Sequence, residues 1–430
     1  PLYCAIGSDT VAFASEIPPL FDLGVEAKPD VRGVSTYLTT IRTVVGARTM
    51  YEGVRALRPG ERLTIDLRGS RPVVTSRVQS LAPSSCGSTV EVVEDAIERH
   101  LRSDVPLCCL LSGGLDSSII VRETTRRVDG VRTFCAGAIS ETGDDDFEHA
   151  RLVAGALGTT HTECVVSRET FLREVPEMIG SLGVPLSTPN EVAIRAVART
   201  LRDAGAVVAL SGEGADEVFG GYDAPLAMAA AHVAGGNADP GCFQLVANAW
   251  MSPADKPRFL DERFWSAVEH DESLVTSYRE IWKGHERNEG LADHLRFQRA
   301  VNLSGLLQRL DTATMLASVE GRTPFADLVV VAHAESLPMS SRYDGSRTKI
   351  ALRDGWRSSL PERVVERPKA SFPLPFQGWL HGFASDLRSS SFLRSVVRPE
   401  VVDAVAADPA SNWNLAWPMV NLALWGARFE

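Results

Sequence analysis

Short apolar runs recur at 107–111, 132–138, 161–166 and 206–210, each pair separated by a helix-length pattern such as 148–157 or 192–204. Strand-like runs that alternate with helical segments predict an α/β fold, a parallel sheet with helices on both faces. Ser88-Thr89-Val90-Glu91 has the capping-box spacing and opens a helix whose apolar side carries Val92, Val93, Ala96, Ile97 and Leu101. Upstream, residues 1–68 alternate short β-type runs with turns such as Arg58-Pro59-Gly60-Glu61. The Ser-, Pro- and Val-rich stretch 69–87 reads as a linker. From Ala224 onward Ala-rich and amphipathic helical patterns dominate, broken at 235–240, with no internal repeat and no low-complexity tail.

Composition narrows the function classes. A chain of 430 residues, 44% hydrophobic and 23% charged, is ordinary soluble globular material of two or three domains. Its net charge of -11 argues against nucleic acid as a partner, because a phosphate backbone requires a basic face. The seven cysteines are odd in number, scattered and mostly in apolar runs, which suits a reducing cytoplasm and excludes CxxC zinc spacing. The nine histidines form no HExxH pattern, and His161 reads as structural. No apolar stretch reaches the roughly 18 residues that span a membrane, and no signal peptide is visible.

Chemistry concentrates at Ser112-Gly113-Gly114-Leu115-Asp116-Ser117-Ser118, directly behind the apolar run ending at Leu111. The pattern reads as a buried strand, a tight turn and a helix start. Glycines let a phosphate approach the backbone, and a helix N-terminus offers unpaired N–H groups. Ser112, Ser117 and Ser118 add hydroxyls, and Asp116 places a carboxylate where Mg2+ could bridge to phosphate oxygens. No Gly-Lys-Ser/Thr follows, so this is not a Walker loop. It resembles the pyrophosphatase (PP) loop of enzymes that split ATP into AMP and pyrophosphate. A second strand-to-turn segment, Val207 to Tyr222, contains Ser211-Gly212-Glu213-Gly214-Ala215-Asp216-Glu217. Two such turns at the carboxyl ends of one parallel sheet lie close together, so Asp116 and Asp216 are expected to share Mg2+.

A third block, Ser318-Val319-Glu320-Gly321-Arg322-Thr323-Pro324-Phe325-Ala326-Asp327, precedes Arg347-Thr348-Lys349 and Glu366-Arg367-Pro368-Lys369. Together and in this order the blocks resemble the synthetase domain of glutamine-dependent asparagine synthetase, whose relatives include β-lactam and lasso-peptide macrolactam synthetases. The match covers nearly the whole chain, with a divergent stretch near 226–300. The resemblance implies an ATP-pyrophosphatase synthetase domain at 88–430. It implies the second half of an N-terminal nucleophile (Ntn) glutaminase-like domain at 1–68, β-rich and incomplete, since the family's glutamine-cleaving Cys would lie upstream of Pro1. The chain is accordingly read as a fragment, and Cys4 as a small buried residue rather than a nucleophile.

The resemblance also implies roles. ATP and Mg2+ are the expected cofactors, with Leu111, Ser112, Gly113, Gly114, Asp116, Ser117, Ser118, Ala136 and Gly212 on the nucleotide and pyrophosphate. Lys349 and Lys369 occupy the family's phosphate-contacting lysine positions. Glu213 attends the acyl-adenylate and the incoming ammonia, and Asp311 fills a second catalytic position. The expected partners are a small carboxylate substrate with ammonia, glutamine or an amine, with a homo-oligomer left open. Two departures leave the acid unassigned: the segment Leu182 to Asn190 lacks the usual acidic pair before Pro189, and the usual Asp-Arg has become Asp311-Thr312. An intramolecular lactam-forming ligase and a non-catalytic scaffold stand beside intermolecular amidation, and the intact Asp116, Asp216, Lys349 and Lys369 count against the scaffold.

Overall fold

The structure, a computed structural model, describes residues 1–69, 71–79, 86–139, 146–368 and 374–430. Its N-terminal part contains β1 (Tyr3–Ile6), β2 (Val11–Ala14), β3 (Val54–Ala56), β4 (Glu61–Asp66) and β5 (Val73–Val78). β1 is central in an antiparallel sheet of order β2-β1-β3, and β4 pairs with β5 as a hairpin. Then come β6 (Leu107–Leu110), β7 (Arg132–Gly137), β8 (Thr160–Val165), β9 (Val208–Leu210) and β10 (Glu320–Arg322). These five form one parallel sheet in the order β10-β9-β6-β7-β8.

Alternation along the buried strands builds two cores. Cys108, Phe134, Ala136 and Ala209 pack with helices Arg168–Leu182, Asn190–Asp203 and Leu291–Met315. Their neighbours Cys109, Cys135, Val208 and Leu210 pack on the other face with helices Thr89–His100, Leu115–Thr125 and Asp146–Leu157. Apolar side chains on both faces are what a parallel sheet under two helical layers requires. The capping box forms as its spacing predicts: Ser88 N–H donates to Glu91 Oε2 at 2.7 Å, and Glu91 N–H donates to Ser88 Oγ at 3.3 Å. β10 has no hydrophobic run to announce it. Glu320-Gly321-Arg322 is polar and joins the sheet edge by pairing with Val208-Ala209-Leu210.

The N-terminal reading changes in two ways. The stretch 69–87, a linker by composition, contains β5, whose β-branched residues pair with β4 from Asp66 to Glu61; residues 70 and 80–85 lie outside the described ones. Residues 1–68 also hold a buried ten-residue helix, Val31–Thr40, capped by Asp30, which accepts from Arg32 N and Gly33 N. The Tyr37 hydroxyl donates to Leu186 O at 2.6 Å, and Trp425 Nε1 donates to the Tyr51 hydroxyl at 2.9 Å. Tyr3, Leu20, Val34 and Tyr37 share one core with Leu186, Trp417 and Trp425. Packing is therefore continuous across the boundary near residue 68. No helix among the described residues is long and apolar enough to cross a membrane.

Candidate functional site

The turn after β6 is shaped by its own hydroxyls. Gly113 takes φ +67°, and a Cβ there would run into His149 and Ala150 of helix Asp146–Leu157, so only glycine fits. Ser112 N–H donates to Ser117 Oγ at 3.3 Å, and Ser117 Oγ donates to Gly114 O at 3.2 Å. Ser118 is fully buried and its hydroxyl donates to Gly114 O at 2.7 Å. That hydroxyl closes the first helical turn, and Ser118 is not among the residues that line the cavity described below. Gly113 is likewise not among those lining residues.

The turn after β9 presses directly on this one. A Cβ at Gly212 would sit 2.9 Å from Ser117 N and 3.0 Å from Asp116 Cβ, so a side chain there would push the two turns apart. Lys349 joins them chemically. Its Nζ lies 2.6 Å from Asp116 Oδ2 and 2.6 Å from Asp216 Oδ1, and the side chain is only 5% exposed. The lysine backbone is left-handed, at φ +52°, a conformation that costs free energy for a non-glycine residue and recurs at functional sites.

Leu111, Ser112, Gly114, Asp116, Ser117, Ala136, Gly212, Glu213, Asp216 and Lys349 line one cavity of about 300 Å3. Sequence-distant residues from four segments thus meet at the carboxyl ends of β6, β7 and β9, where ligands of open α/β sheets collect. Phe134, Ala193, Ile194 and Val197 give the cavity apolar lining, and Asp116, Glu213, Asp216, Arg309, Lys349, Arg353 and Arg367 are its charged lining groups. Lys369 lies outside the described residues.

Asp311 is not among the lining residues. Two positions along a helix rotate a side chain by about 200°, so Arg309 and Asp311 leave helix Leu291–Met315 on opposite sides. Arg309 lines the cavity, while Asp311 is on the side of Tyr3, whose hydroxyl pKa is raised by burial and then by the Asp311 charge. Arg309 is the residue that sequence reasoning missed. Its Nη2 donates to Glu213 Oε1 at 2.6 Å and its Nη1 to Thr188 Oγ1 at 3.1 Å. Burial would lower its pKa, but Glu213 and Glu191 outweigh that and raise it, so the guanidinium stays charged.

Three further groups complete the electrostatics. Burial, then the charge of Asp216, pushes the Glu217 carboxyl up to about 7, and that carboxyl accepts the Tyr222 hydroxyl at 2.6 Å. Arg367, also on the cavity wall, donates to Ser112 O at 3.3 Å. His161 sits on β8 with its Nδ1 2.9 Å from Thr133 Oγ1, away from the cavity, which fits a structural role. Cys4 on β1 is 1% exposed and burial raises its thiol pKa, which leaves no activated thiolate.

Comparison with known proteins gives this constellation its context. The Asparagine synthase family model matches residues 89–427. The glutamine-hydrolysing asparagine synthetase 1 of Bacillus subtilis is 26% identical over 99% of the chain, which spans 73% of that relative. Asparagine synthetase 3 of the same organism is 24% identical over 97% of the chain and 71% of its own length. A Mycobacterium bovis protein, provisionally named for the same enzyme, is 30% identical over 88% of the chain, which spans 64% of it. The chain belongs to the asparagine synthase family.

Proposed function

We propose that this chain is an ATP-dependent, AMP-forming carbon–nitrogen ligase that activates a carboxylate as its acyl-adenylate and passes the acyl group to ammonia or an amine. The observation that carries this reading is the meeting of Asp116, Asp216 and Lys349 at the mouth of the Ser112–Ser117 turn, beside an apolar slot. A carboxylate does not form an amide in neutral water, because oxide is a poor leaving group. Bonding of its oxygen to the α-phosphorus of ATP, with the bond to the bridging oxygen breaking, releases pyrophosphate with the electron pair. The amine nitrogen then bonds to the acyl carbon, AMP departs, and the amine gives up a proton.

The residues divide this work by chemistry. Leu111, Ala136 and Gly212 border the slot that suits a nucleobase, with Phe134 and Ile194 as its apolar walls. Backbone N–H groups and the Ser112 and Ser117 hydroxyls suit pyrophosphate oxygens. Lys349, fixed by two carboxylates, is aimed where negative charge grows as pyrophosphate leaves. Asp116 and Asp216 also fit Mg2+, because they already converge on one cation, the Lys349 ammonium. When bound, Mg2+ would neutralise phosphate charge. Glu213, held by Arg309 at the edge of the cavity, is the candidate acceptor for the amine proton. Exchange of labelled pyrophosphate into ATP tests the reading: exchange that needs both an acid and Mg2+ supports it, and exchange at the same rate without acid contradicts it.

A further inference from the structure

A second cavity, of about 220 Å3, opens to solvent beside the first and shares Tyr222 and Leu306 with its wall. One stripe of helix Leu291–Met315 runs along both: Asn302, Gly305 and Leu306 line the outer space, and Leu306, Arg309 and Leu310 line the inner one. Residues three and four apart share a helix face, so the two spaces lie end to end as one groove.

The two ends of this groove differ in charge. At the outer end Arg42 donates through Nε to Val301 O and through Nη1 to Thr40 O, each at 3.1 Å, and through Nη2 to Asn302 Oδ1. All three acceptors are neutral, so the guanidinium is fixed in place yet forms no ion pair among the described residues. At the inner end Arg309 holds Glu213, and Glu217 accepts the hydroxyl of Tyr222, which lines both spaces. Asn302, which holds Arg42, and Arg309, which holds Glu213, are seven residues apart, about 10 Å along the helix. Hydrogen bonds of about 3 Å at each end take up part of that distance. The remainder matches the reach between the amine and the carboxylate of an amino acid or dipeptide.

This pattern sets what can fill the groove. Ammonia needs neither its volume nor its outer cation. A molecule with a carboxylate at one end and an amine at the other meets the opposite charge at each, and an arginine fork fixes a carboxylate in one orientation. Resting on the adenylation reading, we propose that the groove is the amine-donor site and that the donor carries its own carboxylate. It is an amino acid or dipeptide, with its carboxylate on Arg42 and its amino group beside Glu213. The unprotonated amino nitrogen bonds to the acyl carbon. The bond from that carbon to the AMP oxygen breaks, its electron pair leaves on AMP, and the surplus proton passes to Glu213. The product is a secondary amide.

Glycylglycine and glycylglycinamide test the proposal, because they share an amino end and differ in the terminal carboxylate. The acid is whichever of L-aspartate, N-acetyl-L-aspartate and 3-phenylpropionate supports pyrophosphate exchange, and amide products are read by mass spectrometry. The expected kcat/KM is on the order of tenfold or more higher for glycylglycine than for glycylglycinamide or ammonium, the scale of one charge-assisted contact, and Arg42→Gln removes that preference. Exchange accompanied by equal use of the two peptides, or by use of ammonium alone, would overturn the amine site and leave adenylation standing. A folded Arg42→Gln variant that keeps the preference would also overturn it. So would one whose exchange falls as far as its coupling, since Arg42 would then serve the acid. Absence of exchange with every acid would contradict the adenylation reading itself, and the amine site falls with it.

Discussion

Replacing Lys349 with methionine removes the cation between two carboxylates and keeps most of the side-chain volume. Asp116 Oδ2 and Asp216 Oδ1 are each 2.6 Å from Nζ, so they are at most about 5 Å apart. Two negative charges at that separation repel by about 3 kcal/mol at an effective dielectric constant of ~20. Breaking a buried ion pair from one side typically costs 3–5 kcal/mol, on the same scale. For a cooperative chain of this length, about 3 kcal/mol lowers the melting temperature by about 3 °C. Millimolar Mg2+ should return most of that loss to Lys349→Met, because a divalent ion can take the vacated position between the carboxylates. Thermal unfolding of both proteins with Mg2+ and with a chelator reads the effect. A Lys349→Met protein that melts like the unmutated one, or that gains no more from Mg2+ than the unmutated one does, refutes the shared-cation geometry.

Other outcomes follow from the same structure. Asp116→Ala should lower acid-dependent pyrophosphate exchange on the order of a hundredfold or more, as loss of one member of a preorganised electrostatic site does; a change of only a few-fold would remove Asp116 from the site. Cys4→Ala should leave any glutamine hydrolysis unchanged, and Cys4 should resist alkylation until the chain unfolds, since it is buried on β1. His294 is held neutral, its pKa lowered to about 4 by burial and by nearby His232, with Gln244 and Asn237 on its two ring nitrogens. The unfolded chain binds the proton more readily between about 6.5 and 4, so stability is lost as pH falls through that window. His294→Gln should flatten this part of the pH–stability curve, and an unchanged curve would show that other groups set it.

The parts of the site carried by short contiguous patterns were legible in the chain. Ser112 to Ser117 and the Asp216 turn are marked by glycines, hydroxyls and acids next to apolar strands, and the structure brings them together. What escaped depends on direction rather than on residue type. Asp311 and Arg309 share a 25-residue helix, and which one faces the cavity is decided by the face of that helix packed on the sheet. Ser118 carries the same hydroxyl as Ser117, yet one position further along it turns into the core. Helix Val31–Thr40 carries three Thr, two Val and one Gly, poor helix formers, and its burial against the C-terminal helix stabilises it. β10 is polar throughout, so only its pairing with β9 identifies it.

The fate of the ATP phosphates tests the central claim most directly. The chain is incubated with α-labelled ATP, Mg2+, ammonium and each of a panel of carboxylic acids that includes L-aspartate, and the nucleotide products are separated. Carboxylate activation at the Ser112–Ser117 turn predicts acid-dependent formation of AMP, with one pyrophosphate per AMP and loss of both in Asp116→Ala. Acid-dependent formation of ADP and orthophosphate would contradict it.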